Sequence, residues 1–320
     1  NILITGGAGF IGSNYIKYLN DAGFKEIIVV DNFKNGRKFE NLADLSIVDV
    51  IQKEDFFESK WLRYSSKKIK KIIHLGACSS TQEWDGIYLL KNNYEYSKKL
   101  LYFSIENCID FIYASSASVY GLGEKGFKEN EEFLNPINAY AYTKYIFDNF
   151  VKYTLEKSNV KSKIIGLRFF NVYGPGEYFK GEMCSPVYKF YNQIKKNGYC
   201  KIFDSYGGYE RGMHLRDFIN VLDCCKIIDF VSASSTKLNI FNVGTSKPVS
   251  FLKIAKTVLN YLNLDQNQIE FIPFPESLKG NYQSYTCADI NNLKSINYNN
   301  SFLSIEEGIK AYIDVLEKKS

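Results

Sequence analysis

The chain predicts an α/β fold, a doubly wound parallel sheet joined to a smaller mixed α/β domain. Three observations predict it. A short apolar strand at residues 2–4 runs through spaced glycines into a helical segment. Apolar runs then alternate with helical patterns as far as residue 170. After residue 175 that alternation gives way to irregular segments rich in Tyr, Lys and Gly. The expected division is 1–170 with 219–244 in the first domain, and 171–218 with 245–320 in the second.

Ile2-Leu3-Ile4 reads as a buried strand, followed by Thr5-Gly6-Gly7-Ala8-Gly9-Phe10-Ile11-Gly12 and a helix to about Leu19, ended by Gly23. The early glycines allow a tight turn and the close approach of a pyrophosphate; the last lets the helix pack on the strand. The N–H groups opening the helix then face the phosphates. Placed between strand and helix, Gly6, Gly9 and Gly12 read as the Rossmann dinucleotide fingerprint.

Glu26 to Asp31 is the second strand. An acidic residue at its end accepts from ribose hydroxyls, which argues for NAD. Asn32, Lys34, Arg37, Lys38 and Lys53 follow, and cations there suit a 2′-phosphate, which argues for NADP. Both cofactors stay open. Lys71 to Leu75 is a further strand, and Gly76-Ala77-Cys78-Ser79-Ser80-Thr81 gives small residues at its carboxyl end. A long helical stretch containing Asn92 and Asn93 follows, then a strand from Phe111 to Ser115 that delivers Ser116.

Tyr140 and Lys144 lie four apart on the next helix, hence on one face. A phenol titrates near pH ~10, and a neighbouring ammonium favours the phenolate. The pair is an acid/base device, for which Lys144 and a nicotinamide charge are the expected means of lowering Tyr140. Lys163 to Phe169 is the next strand and leads into Asn171-Val172-Tyr173-Gly174-Pro175. Asn239 to Val243 is one more strand, and Ser250 caps a helix whose Phe251, Ile254, Ala255, Val258, Leu259 and Leu262 form an apolar core stripe.

Composition excludes several classes. No apolar run approaches the ~18 residues of a membrane span. Asn1 to Thr5 reads as a strand and not as a signal peptide. The net charge of +5 is mild, and the run Lys67 to Lys71 reads as a solvated edge, so no nucleic-acid or membrane partner is expected. Seven cysteines without a Cys-x-x-Cys pair suit reduced thiols in a cytosol. Two histidines and no Gly-x-Ser-x-Gly elbow leave no Ser-His-Asp hydrolase and no His-rich metal site. His74 reads as a satisfied strand-end residue.

The glycine turn, Tyr140-x-x-x-Lys144 and Asn171 to Pro175, in this order, resemble the extended short-chain dehydrogenase/reductases that act on nucleotide sugars. The segments 76–86, 92–97, 113–117 and 272–282 narrow the resemblance to the branch that epimerises ADP-heptoses. The resemblance implies inversion at C6″ of ADP-D-glycero-D-manno-heptose by transient oxidation with bound NADP. It implies a cytoplasmic homo-oligomer, often a pentamer, serving lipopolysaccharide inner-core synthesis.

Residue by residue, it implies Tyr140 and Lys180 as the two proton-transfer groups, with Ser116 and Lys144 supporting. It implies cofactor contacts at Gly6, Gly9, Phe10, Ile11, Gly12, Asp31, Asn32, Lys38, Lys53, Leu75, Gly76, Ala77, Cys78, Ser79, Asn92, Lys144, Val172 and Lys180. It implies substrate contacts at Ser116, Asn171, Glu182, Lys189, Phe203, Asp204, Ser205, Tyr206, Arg216 and Tyr282, with Arg211 as the alternative to Arg216. Leu75, Glu182 and Lys189 depart from the usual Glu, Ser and His. A 4,6-dehydratase would need a carboxylate beside Ser116, where Ala117, Ser118 and Val119 stand. A UDP-hexose 4-epimerase shares the machinery. A catalytically silent NADP sensor would need none of Ser116, Tyr140 and Lys144.

Overall fold

A computed structural model describes residues 1–59, 62, 68–236, 239–280 and 282–319. Lys67 of the basic run and Asn281 of the segment 272–282 lie outside the described residues, whereas Lys68 and Lys70 are exposed.

The chain forms two compact units. The first comprises 1–119, 138–168 and 225–241, and the second 120–137, 169–224 and 242–320. The expected division differs at 120–137, 169–170, 219–224 and 242–244, which pack with the second unit. Within that unit Gln283 donates to the Gly121 carbonyl, and Asn242 donates to the carbonyls of Phe127 and Asp289. These ties join residues far apart in sequence, beyond the reach of local pattern.

The first unit is organised by a parallel sheet. Its strands are β1 (Ile2–Thr5), β2 (Ile27–Asp31), β3 (Asp49–Gln52), β4 (Lys71–His74), β5 (Asp110–Ser116), β6 (Ile164–Phe169) and β11 (Ile240–Val243). The spatial order is β11-β6-β5-β4-β1-β2-β3. Strand order reverses between β1 and β4, which pair in parallel with Thr5 beside His74. Ligands of doubly wound sheets bind outside the carboxyl ends at such a switch point. β2 and β6 are buried at every residue, so they read as continuous apolar runs with no alternation. Sequence pattern missed β3, because only Ile51 of its four residues is buried.

The helix Ala139–Lys157 packs beside β5, and its N-cap Asn138 accepts from the Ala141 N–H. Such a cap is worth ~1 kcal/mol. The helical stretch before β5 contains a π-helical segment, Leu90–Glu95, between Gly86–Leu89 and Tyr96–Glu106. π-Bulges concentrate at functional sites because they re-aim side chains.

The second unit contains the parallel pairs β7 (Asn171–Tyr173) with β10 (Phe218–Asn220) and β8 (Cys200–Phe203) with β13 (Ile269–Ile272). β9 (Leu215–Arg216) pairs antiparallel with β12 (Val249–Ser250). Ser250 caps the helix Phe251–Tyr261 by accepting from the Lys253 N–H, as its sequence predicts. The region after residue 175 is more regular than its composition suggests. Pro186–Asn197 is a helix with Ser185 as N-cap and Gly198 as its left-handed stop. Its Val187, Phe190, Tyr191 and Ile194 enter a core with Ile254, Val258, Ile309 and Tyr312.

Candidate active site

The switch point of the first unit fits a dinucleotide. Gly6 has φ +70°, and a Cβ there would lie 2.5 Å from the Gly76 nitrogen. A Cβ on Gly12 would lie 2.2 Å from the Gly6 carbonyl oxygen. These glycines therefore bring the β1 turn, the β4 loop and the helix start closer than side chains allow. The helix Phe10–Asp21 opens with Gly9 and no side-chain cap, so its first N–H groups suit an anion. Phe10 is buried and Ile11 half-buried on its first turn.

Asp31 ends β2 with its carboxylate committed. One oxygen accepts from the Ala8 N–H at 2.9 Å. The other accepts from the Asn32 N–H at 2.7 Å and ion-pairs with Lys38 at 2.9 Å. Lys53 hydrogen-bonds Asn92 and lies 4.8 Å over the Tyr96 ring. Burial lowers the proton affinity of Lys53, while Glu54 and Asp31 oppose the shift. Asp31, Asn32, Lys38, Lys53 and Asn92 thus belong to one charged network. Leu75 donates to the Thr5 carbonyl, Ala77 and Cys78 are half-buried in the same loop, and Ser79 is exposed.

Asn93 is the residue that sequence reasoning left without a role. It is buried, accepts from the Cys78 N–H at 2.8 Å, and donates to the Cys78 carbonyl at 3.0 Å and to Thr143 Oγ1 at 3.2 Å. It therefore fixes the β4 loop against the Tyr140/Lys144 helix. The doubled Asn92-Asn93 was the available signal. His74 also sits in a closed chain. Ser97 Oγ donates to the Asn93 carbonyl, so His74 Nε2 must donate to Ser97 Oγ, and Nδ1 then accepts from Thr5 Oγ1, which itself accepts from the Gly76 N–H. Burial pushes this imidazole well below its ordinary value.

Tyr140 and Lys144 are both buried on one helix face. Ser116, at the end of β5, accepts from the N–H and hydroxyl of Ser118 at 3.2 and 2.8 Å. Those bonds turn its own hydrogen toward the Tyr140 oxygen, and that contact favours the phenolate. Burial is the larger effect, and Tyr140 is raised above 10, opposite to the expected lowering. Lys144 donates to the Ala114 carbonyl at 2.7 Å, and burial brings it down to about 8. A second missed residue continues the same face at the next i+4 position. Asp148 receives Tyr113 and Ser115 at 3.1 and 2.9 Å and pairs with buried Arg168 at 3.0 Å.

The second unit holds the remaining expected residues. Lys180 lies in the 3₁₀ segment Tyr178–Met183, and burial lowers its proton affinity while Glu177 opposes. Asn171 and Val172 lie in β7, and Asn171 Oδ1 accepts from Thr286 Oγ1 at 3.3 Å. The Arg216 guanidinium lies 4.9 Å over the Tyr282 ring, which brings two expected substrate residues together. Tyr282 packs edge-on against Phe274 at 5.1 Å, and Tyr206 stacks on Phe274 at 4.0 Å. Phe203 packs edge-on against Phe274 at 5.3 Å. Asp204 caps the Ser205 N–H at 2.7 Å and faces Arg211 at 3.7 Å. Arg211 is therefore engaged away from Tyr282. Lys189 pairs with Glu182 at 3.4 Å, and Glu182 is exposed.

Among the described residues no cluster of His, Cys, Asp and Glu could hold a metal ion. No disulfide joins cysteines among the described residues, and no described helix is long and apolar enough to cross a membrane.

Comparison with known proteins is consistent along the chain. The NAD dependent epimerase/dehydratase family matches residues 2–244. An ADP-L-glycero-D-manno-heptose-6-epimerase of Brachyspira hyodysenteriae is 44% identical over 318 residues, 99% of this chain and 98% of that protein. The crystal structure of the Helicobacter pylori ADP-L-glycero-D-manno-heptose-6-epimerase is similar at TM-score 0.83 and 28% identity, covering 99% of this chain and 96% of that one. The UDP-glucose 4-epimerase of Thermotoga maritima, with UDP-glucose, is similar at TM-score 0.81 and 27% identity, covering 100% and 99%. With its fingerprint glycines and its Ser116, Tyr140 and Lys144 in place, the chain belongs to the NAD dependent epimerase/dehydratase family and uses a nicotinamide dinucleotide.

Proposed function

We propose that the chain inverts C6″ of ADP-D-glycero-D-manno-heptose, giving the L-glycero epimer by transient oxidation to a ketone and re-reduction. The observation that carries this reading is the 44% identity to the Brachyspira enzyme over 99% of the chain. When bound, the nicotinamide supplies the chemistry of hydride acceptance and return at C6″.

The chain's own residues handle the proton. Tyr140 takes the hydroxyl proton in one orientation of the sugar, with Ser116 donating to its oxygen to favour the phenolate. Lys144 holds its ammonium at the end of β5, and its value of about 8 keeps it mostly charged at neutral pH. The ketone must present its opposite face before hydride returns, so its oxygen then points away from the first base. A second acid/base is required, and Lys180 fills it. Burial lowers its proton affinity, the direction that a proton-exchanging lysine needs. Arg216 and Tyr282 supply a cation and an aromatic face for the nucleotide sugar, beside Phe203, Ser205 and Tyr206.

The cofactor we infer is NADP. Lys38 neutralises Asp31, and Lys34 and Lys53 lie in the same field, which favours a 2′-phosphate over a bare ribose. The product would serve lipopolysaccharide inner-core synthesis in the cytoplasm. Exposed Trp84, Ile87, Tyr142 and Tyr153 in the first unit support a homo-oligomer.

Proton NMR of ADP-D-glycero-D-manno-heptose incubated with the purified protein tests the activity. Accumulation of the C6″ epimer is the expected result. No change with NADP or NAD added, but turnover of UDP-glucose, would instead favour the 4-epimerase reading that the Thermotoga likeness suggests.

A further inference from the structure

The loop that carries Lys180 is closed at its base by a buried carboxylate. Glu177 is 0% exposed. Its Oε1 accepts from the Gly174 N–H at 3.4 Å and from Ser185 Oγ at 2.7 Å, and its Oε2 accepts from the Ser185 N–H. Ser185 Oγ also accepts from the Tyr188 N–H at 3.3 Å as cap of the helix Pro186–Asn197, so its own hydrogen must go to Glu177. All three partners donate. This donor set favours the ionised carboxylate and works against burial, which is the larger effect and pushes Glu177 above its ordinary value.

These bonds join the two ends of one loop. Gly174 follows β7, Ser185 opens the next helix, and the turn Tyr178–Met183 spans the interval. Gly174 at φ +142° and Gly181 at φ +53° let the chain fold back over the carboxylate. The Lys180 N–H donates to the Glu177 carbonyl at 3.0 Å, so backbone and side chain of Glu177 both hold this turn. The titratable groups facing Glu177 are Tyr178, Lys180, Cys184 and, from the helix Ile305–Lys319, Tyr312. Those acting on Lys180 are Glu177 and Cys184. Of these only Glu177 is a carboxylate.

We propose that Glu177 is a positioning residue for Lys180, holding its loop in shape and supplying the anion beside its ammonium. The proposal rests on Lys180 being the second acid/base. Without the anion the ammonium loses its compensation, so Lys180 would release its proton at lower pH. Without the clasp the loop would drift, and misplacement by about 1 Å costs roughly a hundredfold in rate.

The test compares Glu177→Gln, Glu177→Asp and Lys180→Met, each with its bound cofactor and melting temperature recorded. Glu177→Gln keeps the volume, removes the charge, and sets an amide donor against an N–H. The expected result is a kcat at least tenfold lower with KM changed less than threefold. The pH–rate limb that Lys180→Met abolishes should move to lower pH, and Glu177→Asp should recover part of the rate. A Gln variant that melts lower but keeps kcat and the limb overturns the proposal, since that is a purely structural carboxylate. If Lys180→Met turns over both epimers normally, the reading of Lys180 fails instead. If Glu177→Gln does not fold, Ser185→Ala removes one donor alone. A lower kcat at constant KM then supports the clasp, and an unchanged kcat overturns it.

Discussion

Lys144 donates to the carbonyl of Ala114 at 2.7 Å, two residues before Ser116 on the same strand. Helix and strand are thereby joined at the point where Ser116 meets Tyr140, and the three side chains are held as one group. Burial brings Lys144 down to about 8. The rate should decline as pH rises through that value, because the cation is lost. Lys144→Met should remove this limb and lower kcat by about a hundredfold or more. Stability moves the other way. From about 8 to the ordinary 10.5, the unfolded chain holds a proton that the folded chain has released. The melting temperature of the parent relative to Lys144→Met should therefore rise across that window.

His74 predicts the behaviour in acid. Its neutral ring accepts at Nδ1 from Thr5 and donates at Nε2 to Ser97. The folded value lies well below 6.5, so the unfolded chain takes up a proton first. Stability should fall as pH drops below about 6.5, and His74→Gln should flatten that slope in denaturant titrations from pH 7 to 5.

Asn93 should matter more than its place outside any motif suggests. Asn93→Ala would leave the Cys78 N–H and carbonyl without their buried partner. The expected cost is ~2–4 kcal/mol in urea unfolding, with weaker cofactor retention on gel filtration. Asn93→Asp keeps the acceptor and should lose less cofactor.

Lys38→Ala should shift cofactor selectivity. Removing the cation from Asp31 leaves a carboxylate that repels a 2′-phosphate and accepts ribose hydroxyls. The ratio of NADP to NAD affinity should fall at least tenfold in fluorescence titrations of stripped protein.

Arg216→Lys tests the substrate side. A lysine keeps the charge but not the planar face over Tyr282, 4.9 Å away. KM for the nucleotide sugar should rise about tenfold while kcat changes little. The same variant of Arg211, engaged by Asp204, should have a smaller effect.

The sheet was legible because its strands are short apolar runs punctuated by glycine turns, and the fingerprint glycines meet the close contacts that require them. Tyr140, Lys144 and Ser116 were legible because spacing on one helix and position at one strand end are local properties. Asp148 was legible in principle, as the next i+4 position after Lys144. Asn93 and Glu177 were not, since their partners lie 15 and 50 residues away in one case and across a folded-back loop in the other. The upward shift of Tyr140 was also hidden. Spacing shows which charge can approach a phenol but not how deeply the phenol is buried.

The central claim is that C6″ is inverted by hydride removal and return within one active site. Substrate carrying deuterium at C6″ tests it in ordinary water, with the product read by NMR and mass spectrometry. The account predicts that deuterium stays at C6″ in both epimers. Loss of the label to solvent during epimerisation would contradict it, because inversion would then proceed by proton exchange at carbon.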